Sequence, residues 1–296
     1  MPKVTNKNRI FNYNLIKRIE ADYGRDLYNV SVEINKIITT FISKLDIGEE
    51  NIKIKDVNDL IDSLNNYSKK IQGWAEKTAS RMVHTLENQD LKQWAEHSDK
   101  MSSLMKSEMK RSDVNKLLQQ YMDENVKLIT SLPESAAKRV NKLVYENLTT
   151  GKRASTVAKE IMETGNVTQS RANLIARTET SRVVTGLVKA RSESVNLNWF
   201  VWKVTHDNKL RASHKHMDNV LVRWDDPPSP EKLIGKKSYG EYLPGATFNC
   251  RCYPAPLIRL EDVSWPAIVY RKGIISKMAK QQFLRLEDIK YYKKAA

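Results

Sequence analysis

The chain has 296 residues and carries 50 basic against 35 acidic side chains, a net charge of +15 and a pI of about 9.6. Hydrophobic residues make up 40%, enough for a core, while a mean hydropathy of −0.58 and the lack of any apolar run near ~18 residues exclude a membrane-spanning class. Two cysteines exclude a disulfide scaffold and make a reduced cytoplasm the simplest compartment; Met1–Lys7 is basic with no apolar stretch behind it, so no secretory signal is expected.

Length alone favours two domains. The positive charge is uneven: residues 1–20 hold five basic side chains against one acidic, residues 151–193 hold eight against four, and residues 271–296 hold eight against two. Such ends suit phosphate or an acidic protein surface, and equally a solvated surface with basic tails.

From Tyr28 to Leu45 the apolar positions Val32, Ile34, Ile37, Ile38, Phe41 and Ile42 recur at helical steps. The pattern continues through Val57, Leu60, Leu64, Ile71, Trp74, Met82, Leu91, Trp94 and Met101 to Leu117, Leu118, Tyr121 and Met122. No proline separates Pro2 from Pro133, so residues 1–130 read as long antiparallel helices. A boundary is expected at Ser131-Leu132-Pro133-Glu134, a helix-start pattern. That helix stops at Thr149-Thr150-Gly151; a short one spans Ala154 to Glu163, closed by Gly165 as a left-handed cap, and another runs from Gln169 to Ser194. The short pair also invites a loose helix-turn-helix reading.

After Asn196 the period changes. Asn198–Val204 and Val220–Trp224 read as strands, Leu210–Asp218 as a short helix, and 233–248 as irregular chain ending in Pro244-Gly245. The fold class is therefore α+β and predominantly helical, long N-terminal helices followed by a small α+β module with a short sheet and long loops. Residues 261–296 form a basic tail whose Ile274, Ile275, Met278, Phe283, Leu284 and Leu286 also fit a docked helix.

Both cysteines lie in Asn249-Cys250-Arg251-Cys252, close enough in sequence to serve one local chemistry. His214, Asp218, Cys250 and Cys252 are the candidate metal donors, with one zinc ion as the cofactor. On a helix His214 and Asp218 share a face at i, i+4, which favours that pair over His214 with His216. Two packed thiols are the competing reading, since Cys-x-Cys is not the usual Cys-x₂-Cys knuckle. The same residues admit a catalyst, either Asp207, His214 and Asp218 as acid and base or Cys250 with His214 as nucleophile and base. No oxyanion-hole turn or phosphate-binding glycine loop accompanies them, so no catalytic residue is assigned. A polar network that fixes the loops is preferred.

Five pieces occur in order: Ala176-Arg177-Thr178-Glu179-Thr180; Trp199-Phe200-Val201-Trp202; Asp207, Arg211, His214 and Asp218; Pro244-Gly245; and Asn249–Cys252 followed by Pro254. The series, roughly from Pro133 to Pro256, resembles the phage head-morphogenesis family, the Mu F-like minor head proteins of tailed bacteriophages. Asn219 stands where many members have glycine, and asparagine also tolerates a left-handed turn.

The resemblance implies a three-part organisation: a helical N-terminal region over 1–130 for assembly or portal contact, a head-morphogenesis module over 131–260, and the basic tail over 261–296. It marks Arg177, Glu179, Trp202, Asp207 and Arg211 as structural signature residues. It also implies a non-enzymatic virion protein with the portal and other head proteins as partners, located in the head or at the portal vertex and in the host cytoplasm during assembly. The tail residues Lys277, Lys280, Arg285, Lys290, Lys293 and Lys294 are the candidate contacts to packaged double-stranded DNA or to the portal. The alternative is a metal-dependent hydrolase or nuclease using the His/Asp/Cys cluster.

Overall fold

The computed structural model describes residues 13–44, 54–97, 101, 103, 106–107, 114–150 and 154–286. In chain order the helices are α1 (Tyr13–Ile42), α2 (Ile54–Lys70), α3 (Gln72–Glu96), α4 (Asn115–Thr150), α5 (Ala154–Met162) and α6 (Thr164–Ser194). Then come β1 (Trp199–Lys203), α7 (Ala212–His216), β2 (Leu221–Arg223), α8 (Pro230–Leu233), β3 (Tyr253–Pro256), β4 (Ala267–Arg271), β5 (Ile274–Met278) and α9 (Lys280–Phe283). The predominantly helical α+β class holds.

The chain divides into two compact units, one comprising residues 1–17, 84–118 and 178–296, the other 18–83 and 119–177. Among its described residues the second unit has helices and no strand. Along α1 the buried side chains are Tyr23, Leu27, Val30, Ile34 and Ile38, a stripe at helical spacing. They share the unit's core with Val57, Leu60 and Leu64 of α2 and with Ile129, Leu132, Ala136 and Val140 of α4. Tyr23 adds a polar tie, its hydroxyl donating to Asn125 Oδ1 at 2.9 Å. Val32 and Trp74, placed on the buried stripes by spacing, are exposed because they fall out of phase with their neighbours.

Two expected helix ends in this unit are corrected. Helix α4 runs through Pro133 instead of starting there. A mid-helix proline removes one N–H and costs ~3 kcal/mol or more, but hydroxyls serve nearby carbonyls. Ser131 Oγ donates to Leu128 O at 2.7 Å, Thr130 Oγ1 to Val126 O at 3.1 Å, and Ser68 Oγ to Thr130 O at 2.9 Å. Burial of Ile129, Leu132 and Ala136 on both sides of the proline offsets the rest. Gly165 is helical in the first turn of α6, not a left-handed cap. What it supplies is room: an added Cβ would lie 2.4 Å from Asn35 Oδ1.

The other unit carries a five-stranded mixed sheet in the order β3-β1-β2-β4-β5. β1 pairs antiparallel with β2 and β3, β2 runs parallel to β4, and β4 and β5 form an antiparallel hairpin. Trp199, Phe200 and Trp202 of β1 are fully buried, as are Leu221 and Val222 of β2. Ile274, Ile275 and Met278 therefore lie on a strand rather than a helix, while Phe283 on α9 is buried with its ring 5.0 Å from those of both Trp199 and Trp265. On the helical side Arg191 of α6 and Asp90 of α3 form a buried ion pair at 2.6 Å.

Candidate functional site

The site is built where β1, α7 and the Cys250–Cys252 segment meet. Strand β1 is held by Asn219 N to Trp202 O at 2.9 Å and Trp202 N to Val220 O at 2.8 Å, so the chain from α7 returns alongside Trp202. Asn219 makes that return with φ 65°, the left-handed turn expected of an asparagine there. Helix α7 then presents His214 and Ser213 inward, both buried, and leaves His216 exposed.

The second wall is the Pro-Gly loop and the cysteine segment. Thr185 Oγ1 donates to Pro244 O at 2.6 Å, pinning the loop to α6. Asn249, at φ 54°, turns the chain into an extended run, where residues two apart point the same way. That is why Cys-x-Cys, rather than Cys-x₂-Cys, can aim both sulfurs at one point.

His214 Nδ1 lies 3.5 Å from Cys250 Sγ and 3.4 Å from Cys252 Sγ. The three donor atoms all fall within 4.8 Å of one another, and the residues are 2–3% exposed. Both cysteines are free thiols. The opposite ring nitrogen, His214 Nε2, is 3.0 Å from Tyr242 Oη, and Tyr242 donates at 2.8 Å to both oxygens of Glu231. Glu231, also buried, accepts from Ser213 Oγ at 2.9 Å. Burial, reinforced by Glu231, pushes the Tyr242 phenol well above its ordinary value, so it stays a donor to the carboxylate. Its oxygen is then left to accept from His214 Nε2–H. In that tautomer the Nδ1 lone pair faces the sulfurs.

The two thiols differ. A hydrogen bond from Cys252, opposed by burial and aided by His214, holds Cys250 well below the usual thiol range, while the same bond and burial push Cys252 up. Gly245 N donates to Cys250 Sγ at 3.3 Å.

Of the four metal donors expected from sequence, His214, Cys250 and Cys252 come together. Asp218 is not in the cluster: α7 ends at His216, so the i, i+4 face does not reach it, and its carboxylate lies 3.5 Å from His206 Nε2. Tyr242 and Glu231 escaped sequence reasoning, since contacts 11 and 28 residues apart in the chain leave no spacing signal.

The signature residues are mostly spent on structure. Asp207 accepts from Lys209 N at 2.9 Å and pairs with Arg251 at 2.9 Å. Arg211 donates to Phe248 O at 2.7 Å and stacks 4.5 Å from the Phe248 ring centroid. Both tie the 205–211 turn to the cysteine segment. Glu179 pairs with Arg182 at 2.8 Å, the i, i+3 contact its spacing predicts, and Thr178 Oγ1 accepts from Asn249 N at 3.3 Å. Arg177, in the helical unit, pairs with Glu20 of α1 at 3.2 Å. Among the tail candidates Lys277 and Arg285 are exposed, Lys280 pairs with Glu261 at 3.1 Å, and Lys290, Lys293 and Lys294 lie outside the described residues.

Residues 138–254 match the model of a family described as Phage Mu protein F like protein. This segment is Mu F-like. It contains the whole ordered series from Ala176 to Pro254, including all three clustered donors. A relative from Haemophilus influenzae, described as an uncharacterized protein, is 28% identical over 158 residues, covering 53% of this chain. Those residues span 32% of the relative's own length, so the matched half of this chain corresponds to about a third of it. No solved structure matches. Among the described residues no helix is long and apolar enough to cross a membrane.

Proposed function

We propose that this chain is a minor head protein of a tailed bacteriophage, incorporated during procapsid assembly near the portal and supporting DNA packaging or delivery. The observation that carries the reading is the Mu F-like match over a module in which Asp207 and Arg211 of the signature are spent on holding its loops. Asp207, Arg211 and Thr178 bond to the turns around them, as a scaffold requires. Nothing in that arrangement favours the hydrolase alternative, because His214, Cys250 and Cys252 are 2–3% exposed and face one another, and Asp218 stands outside the cluster.

The DNA contact is non-specific and electrostatic. A net charge of +15, with eight basic against two acidic side chains in 271–296, suits a protein enclosed with a packaged duplex. Portal and neighbouring head proteins are its partners, and assembly takes place in the host cytoplasm. Retention on double-stranded DNA measured across a salt series tests the contact: log K should fall linearly with log salt, with a slope reporting the phosphates neutralised. A salt-independent interaction would remove the DNA part of the proposal.

A further inference from the structure

The head-protein reading uses His214, Cys250 and Cys252 only as packed side chains, yet their geometry is that of a ligand set. A tetrahedral zinc ion with Zn–S of about 2.3 Å and Zn–N of about 2.0–2.1 Å sets the S···N separations at roughly 3.6 Å. The two observed separations are 3.5 and 3.4 Å. Hydrogen bonding makes the same point independently. With Nε2–H given to Tyr242, His214 keeps one lone pair at Nδ1, and two sulfurs face it. Without a cation that lone pair accepts from one thiol only; a cation lets all three donors engage at once.

Two further groups are aimed at the sulfurs as hydrogen-bond donors to thiolate. The amide of Gly245 reaches Cys250 Sγ at 3.3 Å. The Trp202 indole N–H, fully buried and with no hydrogen-bond partner among the described residues, lies beside Cys252. A thiolate bound to zinc accepts from such donors more strongly than a neutral thiol.

We propose that His214 Nδ1, Cys250 Sγ and Cys252 Sγ bind one zinc ion, with a non-protein donor completing the tetrahedron and Asp218 outside the set. Tyr242 and Glu231 are positioning residues that orient the imidazole. The proposal is independent of the role in the head, and the ion is structural: it joins α7 to the cysteine segment, two pieces that share little regular hydrogen bonding.

The test uses the full chain purified without chelator. Elemental analysis should find about one zinc per chain. Titration of the zinc-stripped chain with cobalt(II) should give thiolate-to-cobalt charge-transfer absorption and tetrahedral ligand-field bands, both lost in Cys250→Ser and Cys252→Ser. Tyr242→Phe keeps the ring but removes the partner of Nε2, and should weaken zinc about 10–100-fold with the cobalt spectrum unchanged. Asp218→Asn should retain full stoichiometry and affinity. The wild-type titration does not depend on any variant folding: a chain that takes up neither zinc nor cobalt overturns the site. Metal loss in Asp218→Asn overturns the three-donor set, and unchanged affinity in Tyr242→Phe overturns the positioning role.

Discussion

Gly245 is the position where the local geometry of the module is most exposed to a single added carbon. Its φ is 83°, and a Cβ built there would lie 3.0 Å from Cys252 O, 3.2 Å from Ser181 O and 2.9 Å from Thr185 Oγ1. Two of those atoms are backbone oxygens, and Thr185 Oγ1 is tied to Pro244 O at 2.6 Å, so none can swing aside cheaply. The left-handed conformation alone costs a residue with a side chain roughly 1–2 kcal/mol. Overpacking against fixed atoms adds typically another 1–3 kcal/mol. Gly245→Ala should therefore destabilise by about 2–5 kcal/mol in chemical denaturation followed by the fluorescence of the six tryptophans, Trp199 and Trp202 among them. Gly240→Ala is the control, since Gly240 has φ 104° but nothing within 4 Å of the added carbon. It should show only the conformational part. Equal losses in the two variants, within about 0.5 kcal/mol, would refute the claim that the Pro-Gly loop is closed tightly against the cysteine segment.

Other perturbations read other parts of the fold. Phe283→Ala deletes a fully buried ring between Trp199 and Trp265 and should cost about 3–5 kcal/mol; a loss under about 1 kcal/mol in thermal melting would detach α9 from the core. Arg191→Leu leaves the Asp90 carboxylate buried without its 2.6 Å partner and should cost about 3–5 kcal/mol near neutral pH. Adding Asp90→Leu should recover most of that, and a double variant as unstable as the single one would contradict the pairing. Burial, opposed by Arg191, pushes the Asp90 carboxyl up to about 6 from its ordinary 3.8. A raised carboxyl contributes stability that is fully present below the unfolded value and lost as pH rises through the folded one. Relative to Asp90→Asn, the wild type should thus lose on the order of 2–3 kcal/mol between about pH 4 and pH 7. A pH-independent difference between the two would refute the shift.

The long helices were legible because their apolar stripes repeat over many turns, and β1 and β2 because their cores are aromatic and β-branched. Pro133 and Gly165 misled for one reason: both are punctuation only when the local backbone decides, and here tertiary contacts decide. Ser68 and the buried side chains around Pro133 carry α4 through it, while Gly165 is needed for closeness to Asn35. The β4–β5 hairpin was written in Tyr270-Arg271-Lys272-Gly273-Ile274, where Lys272 and Gly273 have φ 45° and 87°, as a two-residue hairpin turn requires. Basic residues around it drew attention to charge instead. In the site, Cys250, Cys252 and His214 stood out as donor types, whereas Tyr242 and Glu231 did not. Asp218 was drawn in by a helical spacing that ends two residues too early.

The proposed role in the phage head rests most directly on where the protein is found. Heads and procapsids purified from the producing phage, free of unassembled protein, should contain the full-length chain when probed by mass spectrometry. A phage lacking the gene should give heads that are fewer, misassembled or poorly filled. Absence of the chain from both precursor and mature heads would contradict the central claim.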